Sequence, residues 1–133
     1  MEKLYDQLAE LARKYGARRL VLYGSRARGD NRYNSDIDLA VYGMPEENMG
    51  AFGMDCEELP TLLKLDIVQI REGMNPAFLA NIERDGVTLM DRLHEKYEQF
   101  AAAVSRLREA LEDHRSTPLS TFSSFSSSLI WAA

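Results

Sequence analysis

Two short apolar runs with a glycine-rich loop between them constrain this chain more than anything else in it. Arg19–Tyr23 (RLVLY) and Asp36–Tyr42 (DIDLAVY) flank the segment GSRARGDNRYNS. Short β-branched and aromatic runs bounded by turn residues read as strands. The loop is expected to open as a strand-to-helix turn, with a short helix starting at Ser25. A third run, Leu65–Ile70 (LDIVQI), reads as another strand, and Val87–Met90 follows an Asp85-Gly86 turn as a small last one.

Helical spacing fills the gaps. Leu4, Leu8, Leu11 and Tyr15 share one stripe of an N-terminal helix over residues 3–15 that Gly16 ends. Residues 46–63 are expected to be helical, with Gly50 and Gly53 weakening the pattern and Pro60 disturbing its end. Pro76–Arg84 reads as a short helix with Asn75 as N-cap. From Asp91 to about His114 the positions Leu93, Tyr97, Phe100, Val104, Leu107 and Leu111 line one long face. Residues 116–133 then change character: they are Ser-rich and carry no charge. They read as a poorly packed tail, dispensable for the fold, and an altered reading frame would leave the same composition. The expected organisation is a domain over 1–92, a C-terminal helix over 93–115 and the tail over 116–133.

The chemistry concentrates in four places. A glycine directly after a strand, Gly24, lets backbone approach a phosphate closely, and Ser25 adds a hydroxyl donor. After ten intervening residues come Asp36 and Asp38, two apart on a strand and therefore expected on one face. Their hard oxygens suit Mg²⁺. Asp66, set inside an apolar strand, is costly to bury without a partner. It is placed to complete a site for two metal ions about 3.5–4 Å apart, the arrangement that clamps an in-line phosphoryl displacement. A lone Gly-Ser turn or Asp-x-Asp pair is usually a plain structural feature, and only the ordered set points to chemistry. Arg26 and Arg28 stand beside Ser25, where they serve either to neutralise phosphate or as ordinary surface cations. Gly29, Asp30 and Ser35 read as loop residues, His94 and His114 as solvent-exposed, and Cys56 as a small core residue.

The order Gly24-Ser25, ten residues, Asp36-x-Asp38, and a later strand acid at Asp66 resembles the DNA polymerase β-like nucleotidyltransferases, most of all the minimal nucleotidyltransferase (MNT) branch. The resemblance covers about residues 1–92. It implies an α/β (α+β) fold, a small mixed β-sheet flanked by helices, with a C-terminal helix added. It implies transfer of a nucleoside monophosphate, AMP from ATP, onto an acceptor hydroxyl with release of pyrophosphate. Gly24, Ser25 and Arg28 would bind nucleotide, and Asp36, Asp38 and Asp66 would be catalytic and hold Mg²⁺ as two ions. Many such proteins are antitoxins that modify a tyrosine of a helical HEPN-type toxin. The other readings are a catalytic subunit working with a separate substrate-binding subunit on small molecules, and a non-catalytic module that neutralises a partner by contact. The helix from Asp91 resembles the first helix of a HEPN-type partner, or is a plain C-terminal helix. Its long apolar stripe is expected to dock on a helical partner or on a second copy of the chain.

Composition narrows the rest. Formal net charge is −5, a poor match for non-specific nucleic-acid or membrane-surface binding. A single cysteine forms no internal disulfide, which fits a reducing cytoplasm. No apolar run approaches the ~20 residues that span a bilayer.

Overall fold

The computed structural model describes residues 1–115, excluding the side chain of Arg115. The serine-rich segment read as a tail lies outside the described residues. Elements follow in the order α1 (Glu2–Lys14), β1 (Arg19–Tyr23), α2 (Ser25–Arg28), β2 (Ile37–Tyr42), α3 (Glu46–Glu57), β3 (Leu65–Gln69), α4 (Pro76–Asp85), β4 (Val87–Asp91) and α5 (Arg92–Arg115). Met1–Leu93 forms one compact unit, and a second begins at His94.

The four strands make one mixed sheet in the order β3-β2-β1-β4. β1 runs antiparallel to both β2 and β4, while β2 and β3 are parallel. Parallel neighbours need a crossover, and α3 supplies it. Period-two alternation then divides the sheet. One face carries Leu20, Leu22, Ile37, Leu39 and Val41 into the main core, against Leu4, Leu8 and Ala12 of α1 and Phe52 and Cys56 of α3. The other face carries Val21 and Ala40 against Ile82 of α4.

Local sequence explains most element ends. α1 has Glu2 in its first turn and Arg13 and Lys14 in its last, which complements the helix dipole. The Tyr15 hydroxyl donates to Asp55, and the Asn48 side chain donates to the Tyr15 carbonyl at 2.8 Å, so α1 and α3 are tied together at one end. Asn75 caps α4 by accepting from the Ala77 amide at 2.8 Å, with Pro76 in the first turn.

Two boundaries differ from the sequence reading. α3 stops at Glu57 rather than continuing to residue 63. Pro60 has no amide to donate and disfavours helical backbone at Leu59, so the segment leaves the helix before the proline. β2 begins at Ile37, whose amide donates to the Lys64 carbonyl at 2.9 Å, and Asp36 stays in the preceding loop. Cys56 is buried as expected. His94 and His114 are exposed, with His94 Nε2 3.5 Å from Glu98 on the same helix. On α5, Tyr97, Phe100, Leu107 and Leu111 are exposed. Among the described residues no helix is long and apolar enough to cross a membrane.

Gly86 joins α4 to β4 in an ordinary extended conformation, so its need for glycine is one of space. A Cβ there would overlap the Ile82 carbonyl oxygen and lie 2.6 Å from Val21 Cγ1. Gly86→Ala is expected to destabilise the domain by about 1–3 kcal/mol, the usual cost of overpacking. Urea denaturation of parent and variant measures it, and an unchanged midpoint would mean that α4 shifts freely.

Candidate active site

The site forms where β1, β2 and β3 meet the loop that joins β1 to β2. Asp38 and Asp66 are direct partners in the parallel β2–β3 register, and Tyr23 pairs with Asp38 across β1–β2. Asp38 alternates with the buried Ile37 and Leu39, so it projects from the face opposite the main core. Asp66 shares that face by register. Paired residues on adjacent strands sit about 4.8 Å apart, close enough for the two carboxylates to act on one another.

Gly24 makes room for this arrangement. It takes a φ of +75°, and a Cβ built on it would overlap Asp38 Oδ2 and lie 3.2 Å from Asp38 Cγ. The backbone at the β1–α2 turn thus lies directly against the carboxylate, an approach that glycine alone allows. Ser25 follows at the start of α2, half-buried.

Charge is crowded here. Burial raises the Asp38 carboxyl above its ordinary value, the charges of Asp66 and then Asp36 raise it further, and Arg28 pulls it back down. Burial also pushes the Tyr23 hydroxyl up to about 12, aided by Asp38 and then Asp66, so it stays protonated at neutral pH. Three acids therefore act on one locus that Arg28 only partly offsets. That imbalance suits a divalent cation bound through oxygen. Among the described residues no group of three ligating side chains already converges on one point. Mg²⁺ does not need one, because it is commonly held by one or two carboxylates, waters and substrate phosphates. Asp38 and Asp66 supply such a pair. Asp36, exposed in the loop, is brought near them electrostatically but is not fixed on their face by strand alternation, contrary to the sequence expectation.

The two loop arginines separate cleanly. Arg26 staples the loop: its Nε and Nη2 donate to the Ser35 carbonyl at 3.0 and 2.9 Å, and Nη2 reaches the Tyr33 carbonyl at 3.2 Å. Ser35 Oγ accepts from the Arg32 amide at 2.9 Å and so orders the loop, as expected. Gly29 ends α2 in left-handed conformation. Arg28 instead acts on Asp38, and its Nε donates to Asp30 at 3.1 Å. Sequence reasoning missed Tyr23, although its place in β1, two residues beyond the buried Val21, put it on the same face as the acids.

The crowding has a thermodynamic sign. A carboxyl whose pKa is raised by folding contributes stability below its unfolded pKa and loses it as pH rises through the folded one. At pH 7 without metal, Asp38→Asn is therefore expected to melt above the parent, with the gap closing as pH falls toward 4. A variant that melts lower at pH 7 would contradict the electrostatic account. Gly24→Ala should displace the Asp38 carboxylate and, by differential scanning fluorimetry, abolish any Mg²⁺-dependent rise in melting temperature.

Residues 6–95 match the family model described as Polymerase beta, Nucleotidyltransferase. No curated protein matches the chain. Its fold is similar to that of a toxin–antitoxin crystal structure with AMP-PNP, at 20% identity and a TM-score of 0.54, covering 84% of this chain and 91% of that one. It is similar to a mutant of the toxin–antitoxin MntA–HpeT at 19% identity and a TM-score of 0.53, with the same coverage. A third similar fold occurs in a complex of tri-AMPylated Shewanella oneidensis HEPN toxin with MNT antitoxin, at 19% identity and a TM-score of 0.50, covering 86% and 92%. With the family match spanning most of the chain, and the Gly-Ser turn set against the β2 acid, this protein belongs to the polymerase β-type nucleotidyltransferases.

Proposed function

We propose that the chain is a metal-dependent nucleotidyltransferase that moves AMP from ATP onto a hydroxyl, that of a tyrosine on a helical HEPN-type toxin, and so acts as an antitoxin. The observation that carries this is the pairing of Asp38 with Asp66 on one sheet face, directly against the glycine of the Gly24-Ser25 turn. Support for the acceptor comes from the fold's likeness to chains in toxin–antitoxin complexes, one with AMP-PNP and one with a tri-AMPylated HEPN toxin.

The roles follow from chemistry. Gly24 and Ser25 receive the triphosphate, with Arg28 offsetting its charge. Asp38, with Asp36 and Asp66, would hold Mg²⁺, as two ions when the site is full. When bound, the metal neutralises phosphate charge and acts as a Lewis acid at the α-phosphate. Asp66 accepts the proton of the acceptor hydroxyl as its oxygen bonds to the α-phosphorus. The bond from that phosphorus to the bridging oxygen breaks, and pyrophosphate leaves. ATP as substrate and a single, buried Cys56 both suit a cytoplasmic location.

The test is incubation of the protein with α-labelled ATP, Mg²⁺ and the product of the neighbouring coding region as candidate partner, followed by mass spectrometry of that product. AMP on a partner tyrosine is the expected result. Ser25→Ala should weaken ATP binding roughly 10-fold, as loss of one hydrogen bond to a charged group does. Asp66→Asn should leave ATP binding largely intact and slow transfer by about 10²–10⁴-fold, the usual contribution of a positioned base. Full transfer by Asp66→Asn would remove that residue from the chemistry, and a partner left unlabelled by the parent would overturn the acceptor assignment.

A further inference from the structure

A pocket of about 220 Å³ opens beside Gly24, walled by Tyr23, Arg28, Phe78, Asn81, Arg84 and Asp85. Its position relative to the acids follows from strand order. Asp66 stands on β3, Asp38 on β2 and Gly24 at the end of β1. The pocket lies on the far side of this series from Asp66, under α4, which packs on β1 through Ile82 and Val21.

An in-line displacement puts the attacking and leaving oxygens on opposite sides of the transferred phosphorus. If the acceptor enters at Asp66 and the α-phosphate sits at Asp38, the leaving group points across β1 toward this pocket. The pocket walls suit that cargo. Its volume is below the ~300–1,000 Å³ that encloses a drug-sized ligand, which fits a phosphate-sized group and not a whole nucleotide. Two guanidiniums line it. Asp85 accepts from Arg84 Nε at 3.1 Å and Nη2 at 2.9 Å, so the fork is held in place. A guanidinium has five N–H donors, and this clamp uses two of them. Arg28 lines the pocket, and its charge lowers the carboxyl pKa of both Asp38 and Asp85. Tyr23 and Phe78, both in the lining, meet edge to face with centroids 5.7 Å apart.

We propose that Arg84 of α4 is a further binding residue for the departing pyrophosphate, acting from this pocket beside Arg28. The inference rests on the triphosphate reading of Gly24-Ser25 and adds to it a residue from α4, remote in sequence. Arg84 is largely exposed, with 69% of its side chain accessible, so replacing it leaves the fold in place.

The test is calorimetry on the full chain with Mg²⁺, using ATP, AMP and inorganic pyrophosphate as separate titrants. Parent, Arg84→Gln and Ser25→Ala are compared. Arg84→Gln is expected to weaken ATP and pyrophosphate about 10-fold or more, the effect of losing charge-assisted hydrogen bonds, and to leave AMP affinity unchanged. Unchanged pyrophosphate affinity, or an equal loss for AMP and ATP, overturns the proposal. If Ser25→Ala weakens ATP while Arg84→Gln does not, the pocket assignment alone fails. If the parent binds neither ATP nor pyrophosphate, the triphosphate reading fails and takes the pocket with it.

Discussion

The contact between the Gly24 backbone and the Asp38 carboxylate is the constraint on which the site depends. No side chain of any size fits between them. This closeness is created by the antiparallel β1–β2 ladder, which sets Tyr23, the last residue of β1, opposite Asp38 and leaves Gly24 after it to turn away over the acid. Ser25, Arg28 and the start of the loop are all placed by that turn. Ten residues separate Gly24-Ser25 from Asp36-x-Asp38 in the chain, yet the ladder makes Gly24 and Asp38 neighbours in space.

Strand β2 has two duties because side chains alternate along it. Ile37, Leu39 and Val41 are fully buried and anchor the sheet on α1 and α3. Asp38, between the first two, projects from the opposite face. Apolar burial on one face holds in place a carboxylate that folding disfavours on the other. A register slip of one residue would put Asp38 in the core and Leu39 in the site, so the hydrophobic pattern that secures the fold also specifies the chemistry.

Much of this was legible beforehand, for local reasons. β1 was bounded by turn residues, α4 announced itself through Asn75 and Pro76, and the motif of Gly24, Ser25, Asp36, Asp38 and Asp66 pointed to phosphoryl transfer. The differences have non-local causes. Asp36 was assigned to β2 by alternation. However, the hydrogen bonds of Arg26 and Ser35 close the loop up to that point, and pairing with β3 begins only at Ile37. The two arginines of SRAR were indistinguishable in sequence. They separate only when the loop folds back to give Arg26 its carbonyls and leaves Arg28 toward Asp38. The α4 side chains that border Gly24 were not legible, because no local pattern reports which sheet face a helix will cover.

Helix α4 packs on the sheet through Val21 of β1 and Ala40 of β2, and leaves Asp66 of β3 exposed. Gly86 sets the approach: its missing side chain lets the end of α4 press against Val21. Arg19 of β1 reaches across to Glu83 at 2.9 Å and Thr88 at 3.3 Å, which fixes the same end of the helix over the same strand. Asp38 stays only half-buried on that face of the sheet. The half beside Gly24 receives a roof that bears Arg84. A helix laid over the whole face would bury the acids without partners, at a high desolvation cost. The placement of α4 thus leaves Asp66 open to solvent and sets the Arg84–Asp85 pair beside the Gly24 turn.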